Sequence, residues 1–461
     1  MKKQLLAISL LTMSPGLMAE YDDAGAQPNT YSQGQCGTCC KTPCCCKPCE
    51  PCCVPQPKKC IDCECYTPAY YDLQCDWGAF LSVDFLYWYA RETNLAYAAQ
   101  VKGTPVQNAF VLEDSGSTTL ALGFNLVVPS STEYLDTNWK PGFRIGLGWN
   151  SDCDGWDFYL NWTYMYNKRS DSTSVDQFFD LDTLPSYPTE VAPGTNQVAL
   201  INPWLNGALV FPVADLTVEA PLLFTKVSGQ WKLQYNQIDL EIGRKYWLSP
   251  CFTLRPYGAL RGAWFKTTFN TNGSRDLFDL SATFPDLTTT SYGASADFTN
   301  RYWGVGLVGG LQPNWHFCSN FILYSNFDTG LIYGEFKTKK SESYTADVFK
   351  LSAGSPDEFI STWSNSTSSK FYQMTPVFDV AIGLRWEENW CCDRYKTALD
   401  IGWEHHSLLG VNNREKTTNI SSIFAAESAI SAGQINIVGN VEEESGDLGM
   451  GGLVIRLRVD F

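Results

Sequence analysis

The sequence predicts an all-β chain: a transmembrane antiparallel up-and-down β-barrel of about ten strands, with room for twelve or more, preceded by a signal peptide and a disordered Cys/Pro-rich segment. Three observations predict it. Hydrophobic residues make up 44% of 461 residues, yet mean hydropathy is only −0.18, as expected when apolar and polar positions alternate along strands. Aromatics reach 14%, with 16 Trp and 23 Tyr, the residues that gather where a barrel meets the two membrane interfaces. No run past the N-terminus offers ~18 consecutive apolar residues, so a membrane body made from this chain must satisfy its backbone between strands.

The opening MKKQLLAISLLTMSPGLMA places Lys2 and Lys3 before a short apolar run and ends on small Ala19, which reads as a secretory signal over residues 1–19. Residues 20–76 form the Cys/Pro-rich segment, expected in the periplasm, and 77–461 the barrel. The net charge of −16 argues against nucleic acid, whose phosphates require a basic face, and suits acidic solvated loops.

Ten strands follow from period-two alternation. In AFLSVDFLYWYA (79–90), Leu81, Val83, Phe85, Tyr87 and Tyr89 oppose Ser82 and Asp84. In FRIGLGWN (143–150), Phe143, Ile145, Leu147 and Trp149 oppose Arg144. The third run sets Trp156, Phe158, Leu160 and Trp162 against Asp157 and Asn161. The fourth, WKLQYNQIDLEIGRKYW (231–247), changes parity near Gln237, from Trp231, Leu233 and Tyr235 to Ile238, Leu240 and Ile242; one extra residue in a bulge would do this. Glycine-rich runs at 252–266 and 301–311 supply the fifth and sixth, then come 321–336, 374–386 and 397–405. The last, GMGGLVIRLRVDF (449–461), alternates cleanly and ends on Phe461, a terminal aromatic expected to serve as the assembly signal.

The intervals between strands alternate long and short. Those at 91–142, 168–230, 267–300, 337–373 and 406–448 are long; those at 151–155, 248–251, 312–320 and 387–396 are short. Outer-membrane barrels have this asymmetry, with short periplasmic turns and longer outer loops.

Twelve cysteines crowd the N-terminal segment: Cys36, Cys39, Cys40, Cys44, Cys45, Cys46, Cys49, Cys52, Cys53, Cys60, Cys63 and Cys65. Cys75 precedes the first strand, and Cys153, Cys251, Cys318, Cys391 and Cys392 all fall in the short turns. All are disulfide candidates, because thiols on an oxidising face are expected to pair. Turn-to-turn bridges need Cα atoms within ~7 Å, which favours bonds to the tail or to other Cys-rich envelope proteins. An intrachain knot and a thiolate metal cluster stay open as alternatives. The CxxC pairs CGTC and CIDC lack the second ligand pair of a zinc finger, and His316, His405 and His406, the only histidines, lie far off in sequence; no metal is expected.

The face opposite the apolar one supplies pore-lining candidates: Arg144, Lys232, Arg255, Arg261, Arg385, Arg456 and Arg458 among the bases, and Asp84, Asp157, Asp239, Glu241, Asp379, Asp400 and Glu404 among the acids. Such balance implies weak charge selectivity. The same residues can instead pair across the lumen as a structural network. Ten strands imply a narrow or plugged interior. VALINPWLNGALVF (198–211) reads as an extra strand, an inward-folded loop or a surface patch. An enzyme is not expected: no GxSxG frames a nucleophile, His405 and His406 beside Glu404 read as a solvated strand end, and no glycine loop cradles a phosphate. No cofactor is expected either.

The runs DFLYWYA, WKPGFRIGLGW, WDFYLNWTYMYN, WKLQYNQIDLEIGRKYWLS, LRPYGALRGAW and GDLGMGGLVIRLRVDF, in this order, resemble the Legionella-type pore-forming major outer membrane proteins and their relatives in Chlamydia-like bacteria. The resemblance implies a porin-like barrel of the bacterial outer membrane and possible roles in surface attachment, and identifies no catalytic residue. Its Cys-rich tail departs from the Legionella-type members and points to the Chlamydia-like branch, whose envelopes are disulfide-linked. The expectation is therefore a channel for passive diffusion of small hydrophilic solutes that is also a cross-linked envelope component, with outer-membrane lipid and Cys-rich proteins as partners and room for a homo-oligomer. The competing expectation is a non-conducting structural barrel or adhesin.

Overall fold

A computed structural model describes residues 78–461 except 106–109, 115–116, 122–123, 152–154, 176–196, 206–207, 214–215, 222, 250, 279–286, 318–319, 353–354, 391–393, 420–421 and 425–438. The expected signal peptide, the Cys-rich segment and Cys153, Cys318, Cys391 and Cys392 lie outside the described residues. In chain order the strands are β1 (Ala79–Glu92), β2 (Ala96–Pro105), β3 (Phe110–Asp114), β4 (Ser117–Ala121), β5 (Phe124–Tyr134), β6 (Trp139–Asn150), β7 (Trp156–Ser174), β8 (Gln197–Ile201), β9 (Ala208–Val213), β10 (Leu216–Pro221), β11 (Lys226–Arg244), β12 (Tyr246–Ser249), β13 (Phe252–Phe278), β14 (Leu287–His316), β15 (Phe321–Ser352), β16 (Ser355–Trp390), β17 (Tyr395–Asn419), β18 (Ser422–Phe424) and β19 (Gly439–Asp460).

Ten of these make one antiparallel sheet in the order β11-β7-β6-β1-β19-β17-β16-β15-β14-β13, and the pairing of β11 with β13 closes it. The seam between the first and last strands runs in register from Phe80 opposite Asp460 to Glu92 opposite Leu448. Closure follows from the side chains. Leu81, Val83, Phe85, Ile145, Leu147, Leu240, Leu260, Leu307, Leu331 and Ile401 all point outward and are exposed, a band that only lipid can cover. Trp149, Trp156, Trp315 and Trp390 mark its lower edge, and Tyr87, Trp264, Trp303, Tyr333, Tyr372 and Trp403 its upper edge. The lower edge carries the short turns, the end expected from the sequence to face the periplasm.

Two expectations change. No bulge interrupts β11: it pairs residue for residue with β13 from Lys226 to Gly243 and with β7 from Lys226 to Arg244. Trp231, Leu233 and Tyr235 are buried inside the barrel on the same face as Gln237 and Asp239. It is the interior that changes, from polar below to apolar above, while the strand keeps its parity. The intervals 267–300 and 337–373 are also largely strand. β15 and β16 pair up to Ser352 opposite Ser355, and β13 and β14 up to Phe278 opposite Thr290. Above the membrane neither face requires lipid-compatible residues, so hydrophobic alternation fades while hydrogen bonding continues.

Candidate functional site: the barrel lumen

Ten strands spaced ~4.8 Å and tilted ~40° enclose a cylinder roughly 20 Å across, so long side chains from opposite walls can meet. In the lower half they do. Arg144 on β6 reaches Asp84 on β1 at 3.0 Å and Glu404 on β17 at 2.8 Å, and its Nε donates to the Thr163 hydroxyl at 3.0 Å. Arg456 on β19 bonds both oxygens of Asp84, at 3.0 and 2.9 Å. Arg261 on β13 joins Asp239 at 2.7 Å and also binds Asp379 on β16. Arg255 donates to Asp157 on β7 at 2.8 Å and lies 3.2 Å from Glu241. Arg385 grips Asp400 through two bonds, at 2.7 and 2.8 Å, and Arg458 holds Asp460 at 2.6 Å. Charges removed from water are tolerated only when so paired.

Among the sequence-derived candidates, Asp84, Arg144, Asp157, Arg255, Arg261, Asp379, Arg385, Asp400, Glu404, Arg456 and Arg458 enter this network. Lys232 does not. It occupies the outward parity of β11, opposite Lys168 and Thr268, because the inferred bulge does not exist. His405 and His406 diverge: His405 shares the outer belt with Tyr89, 3.4 Å from its hydroxyl. His406 is inward, with Nδ1 3.0 Å from Asp379 and Nε2 3.2 Å from Glu404, its ring 4.7 Å from that of Trp88. The solvated-end expectation for this pair is thus corrected for His406. Tyr257, Asn326 and Asp328, a hydrogen-bonded trio across β13 and β15, were not among the sequence-derived candidates.

The network surrounds a cavity of about 210 Å³ whose wall, among the described residues, carries eight basic and eight acidic side chains. Above it the lumen becomes solid. Leu86 and Trp88 from β1, Met165 from β7, Leu233 and Tyr235 from β11, Phe265 from β13, Tyr302 from β14, Ile332 and Phe336 from β15, Val377 from β16, Leu408 from β17 and Met450 from β19 are all buried and belong to one apolar cluster. Phe265, Tyr302 and Phe336 stack in series at 5.0 and 4.5 Å. We term this layer the septum.

A cap lies on it, built from the segment read as strand, inward loop or patch. Leu200, Trp204 and Leu205 are buried in the cluster: the loop folds inward. The Trp204 ring meets Phe298 at 5.1 Å and Phe269 at 5.8 Å, and its Nε1 donates to the Ala96 carbonyl at 2.6 Å. Arg414 stacks over Trp204 at 5.4 Å and Phe269 at 4.7 Å and pairs with Glu92 at 2.6 Å. The wall makes room by lacking side chains: a Cβ at Gly229 would stand 2.6 Å from that of Tyr97, and one at Gly273 2.6 Å from the Phe224 ring. In this outer extension burial pushes the Tyr292 phenol upward, so its hydroxyl stays protonated while it accepts the Leu223 amide at 2.9 Å.

Cys251 lies exposed at the lower rim, where its carbonyl accepts the His316 amide at 2.8 Å. Phe461 lies at the same end of the barrel but across it, its ring 6.4 Å from that of Tyr395 and its amide donating to the Ala79 carbonyl at 2.9 Å. No group of three or more metal-ligating side chains occurs among the described residues.

Three solved structures are similar to this chain. They are the outer membrane protease OmpT from Escherichia coli (8% identity, 84% of this chain and 98% of that one, TM-score 0.33), the toluene transporter TodX from P. putida (8%, 83% and 90%, 0.24) and a FadL homologue from Pseudomonas aeruginosa (8%, 83% and 89%, 0.22). No curated relative matches the chain by sequence. The family described as Legionella pneumophila major outer membrane protein precursor matches residues 74–461. The chain thus belongs to that family and is a β-barrel of the bacterial outer membrane.

Proposed function

We propose that the barrel is a channel for small hydrophilic solutes that is closed at its outer half in the described conformation and conducts when cap and septum shift. The observation that carries this reading is the two-level lumen: a charge-lined chamber of about 210 Å³ in the lower half beneath a dry layer. A barrel with only a structural role gains nothing from the lower chamber, since ion pairs of this kind contribute little net stability over well-packed apolar residues. The septum itself is incompletely satisfied, for the buried Trp88 Nε1 has no partner among the described residues, which makes this state less favourable than a fully bonded one. Balanced wall charge gives weak ion selectivity.

The septum also supports a second reading, a non-conducting structural barrel. Planar-bilayer recording separates them. Wild-type protein is expected to open seldom, and Trp204→Ala or Arg414→Gln, which loosen the cap, to open more often with little change in step size. Folded variants that never conduct would leave the structural barrel.

The envelope role belongs to the same proposal. Exposed Cys251 at the periplasmic rim supports cross-linking to other thiol-bearing envelope proteins.

A further inference from the structure

On the outward face, four basic residues stand directly opposite one another on consecutive strands. Lys266 on β13 pairs with Arg301 on β14, Arg301 with Lys337 on β15, and Lys337 with Lys370 on β16. All four are exposed. Like charges placed directly across strands are destabilising, so an uninterrupted row of four is a costly arrangement for the sheet alone. Glu335 offsets part of it, 2.8 Å from Lys337 and 2.9 Å from Lys370. Among the described residues no carboxylate lies within ion-pair distance of Lys266 or Arg301. Lys339, also exposed, adds a fifth cation on β15 one outward position higher.

The height of this row matters. Lys266 is two residues above Trp264 on β13, Arg301 one outward position above Trp303 on the descending β14, and Lys370 one above Tyr372 on the descending β16. Trp264 faces Trp303 across the strands, and the Tyr333 and Tyr372 rings stack at 6.0 Å. Below these rings the outward surface is Leu260, Leu307 and Leu331. The face thus offers, in ascending order, aliphatic wall, aromatic belt and basic row, at the end of the barrel that faces away from the periplasm. Four strands span about 14 Å, the scale of a disaccharide headgroup.

We propose that this face of β13–β16 binds a phosphorylated glycolipid of the outer leaflet, with acyl chains on the leucines, sugar on the tyrosine and tryptophan rings, and phosphates on Lys266, Arg301, Lys337 and Lys370. Phosphate is matched by guanidinium and ammonium donors in such a row, and juxtamembrane cations attract anionic headgroups in the same way. The site is independent of whether the lumen conducts.

The test uses the full chain folded in detergent, with bisphosphorylated lipid A as probe and native mass spectrometry as readout. The fourfold variant Lys266→Gln, Arg301→Gln, Lys337→Gln, Lys370→Gln is expected to retain the glycolipid about tenfold or more weakly than wild type. Arg91→Gln, an exposed outward position on β1 that faces Gly449, is expected to retain it unchanged. Lipid A stripped of both phosphates is expected to bind wild type as weakly as the fourfold variant binds the intact lipid. Equal retention by the fourfold variant, or equal binding of the stripped lipid, would overturn the proposal. So would displacement of the lipid by millimolar inorganic phosphate, which would mean a site for the free anion. Should the fourfold variant fail to fold, raising salt from about 50 to 500 mM on wild type decides the matter: screening must weaken retention, and a salt-insensitive complex would refute the assignment.

Discussion

Arg144 is held between Asp84 and Glu404 with the Thr163 hydroxyl closing its fan of donors. Arg144→Met is expected to lower unfolding free energy by ~3 kcal/mol or more, because two carboxylates lose a cation in a buried setting. Adding Glu404→Gln should recover part of that loss, and urea unfolding in lipid checks both. Lys232 provides the contrast. Pointing outward, Lys232→Gln is expected to alter stability by less than ~0.5 kcal/mol and to leave single-channel steps unchanged, whereas Arg261→Gln, inside the chamber, should change both. Sequence alternation identified the inward charges of β1, β6, β7, β17 and β19 because lipid forces the opposite face to be apolar. It failed for Lys232, since Trp231, Leu233 and Tyr235 are apolar for a different reason: they fill the septum. Two physical causes of hydrophobicity look identical in a string of letters.

The cap and the long hairpins show what was hidden one level up. Residues 198–211 carry an apolar run that suits a strand, a patch or an inward loop; in the structure Gln197–Ile201 is strand β8 and Trp204 and Leu205 fold inward, beside Tyr97 and Phe224, for which Gly229 and Gly273 leave room. Gly229→Val is expected to push Tyr97 off the wall, loosening the cap without unfolding the barrel; faster cleavage of the outer segments by a protease, with unchanged heat resistance of the β-sheet band on gels, is the expected result. The upper halves of β15 and β16 escaped the sequence reading because Thr338, Lys340 and Glu342 face a polar interior while their neighbours face water, leaving no period to detect. The membrane part of each strand was legible because two solvents, lipid and water, impose opposite demands on its faces.

For the molecule as a whole, the proposal that the lower end of the barrel faces the cell puts Cys251 on that side. After thiols are blocked during lysis, non-reducing gels are expected to show a ladder of high-mass species that collapses to monomer with reductant. An impermeant maleimide applied to intact, reduced cells is expected to miss Cys251 and to tag it once the envelope is opened. Monomer under both conditions, or tagging from outside, would count against the periplasmic cross-linking reading.

The seam between β1 and β19 joins the two most distant strands of the wall through thirteen residue pairs. Every other wall strand can zip to a neighbour as soon as it arrives, but this last join has to wait until both flanking staves are aligned. Until that moment the unfinished cylinder presents two raw borders of unpaired amides and carbonyls to whatever is near. Escorting the open form to its site of insertion, and latching it there in a single late step, is therefore a demand that the geometry itself places on the cell.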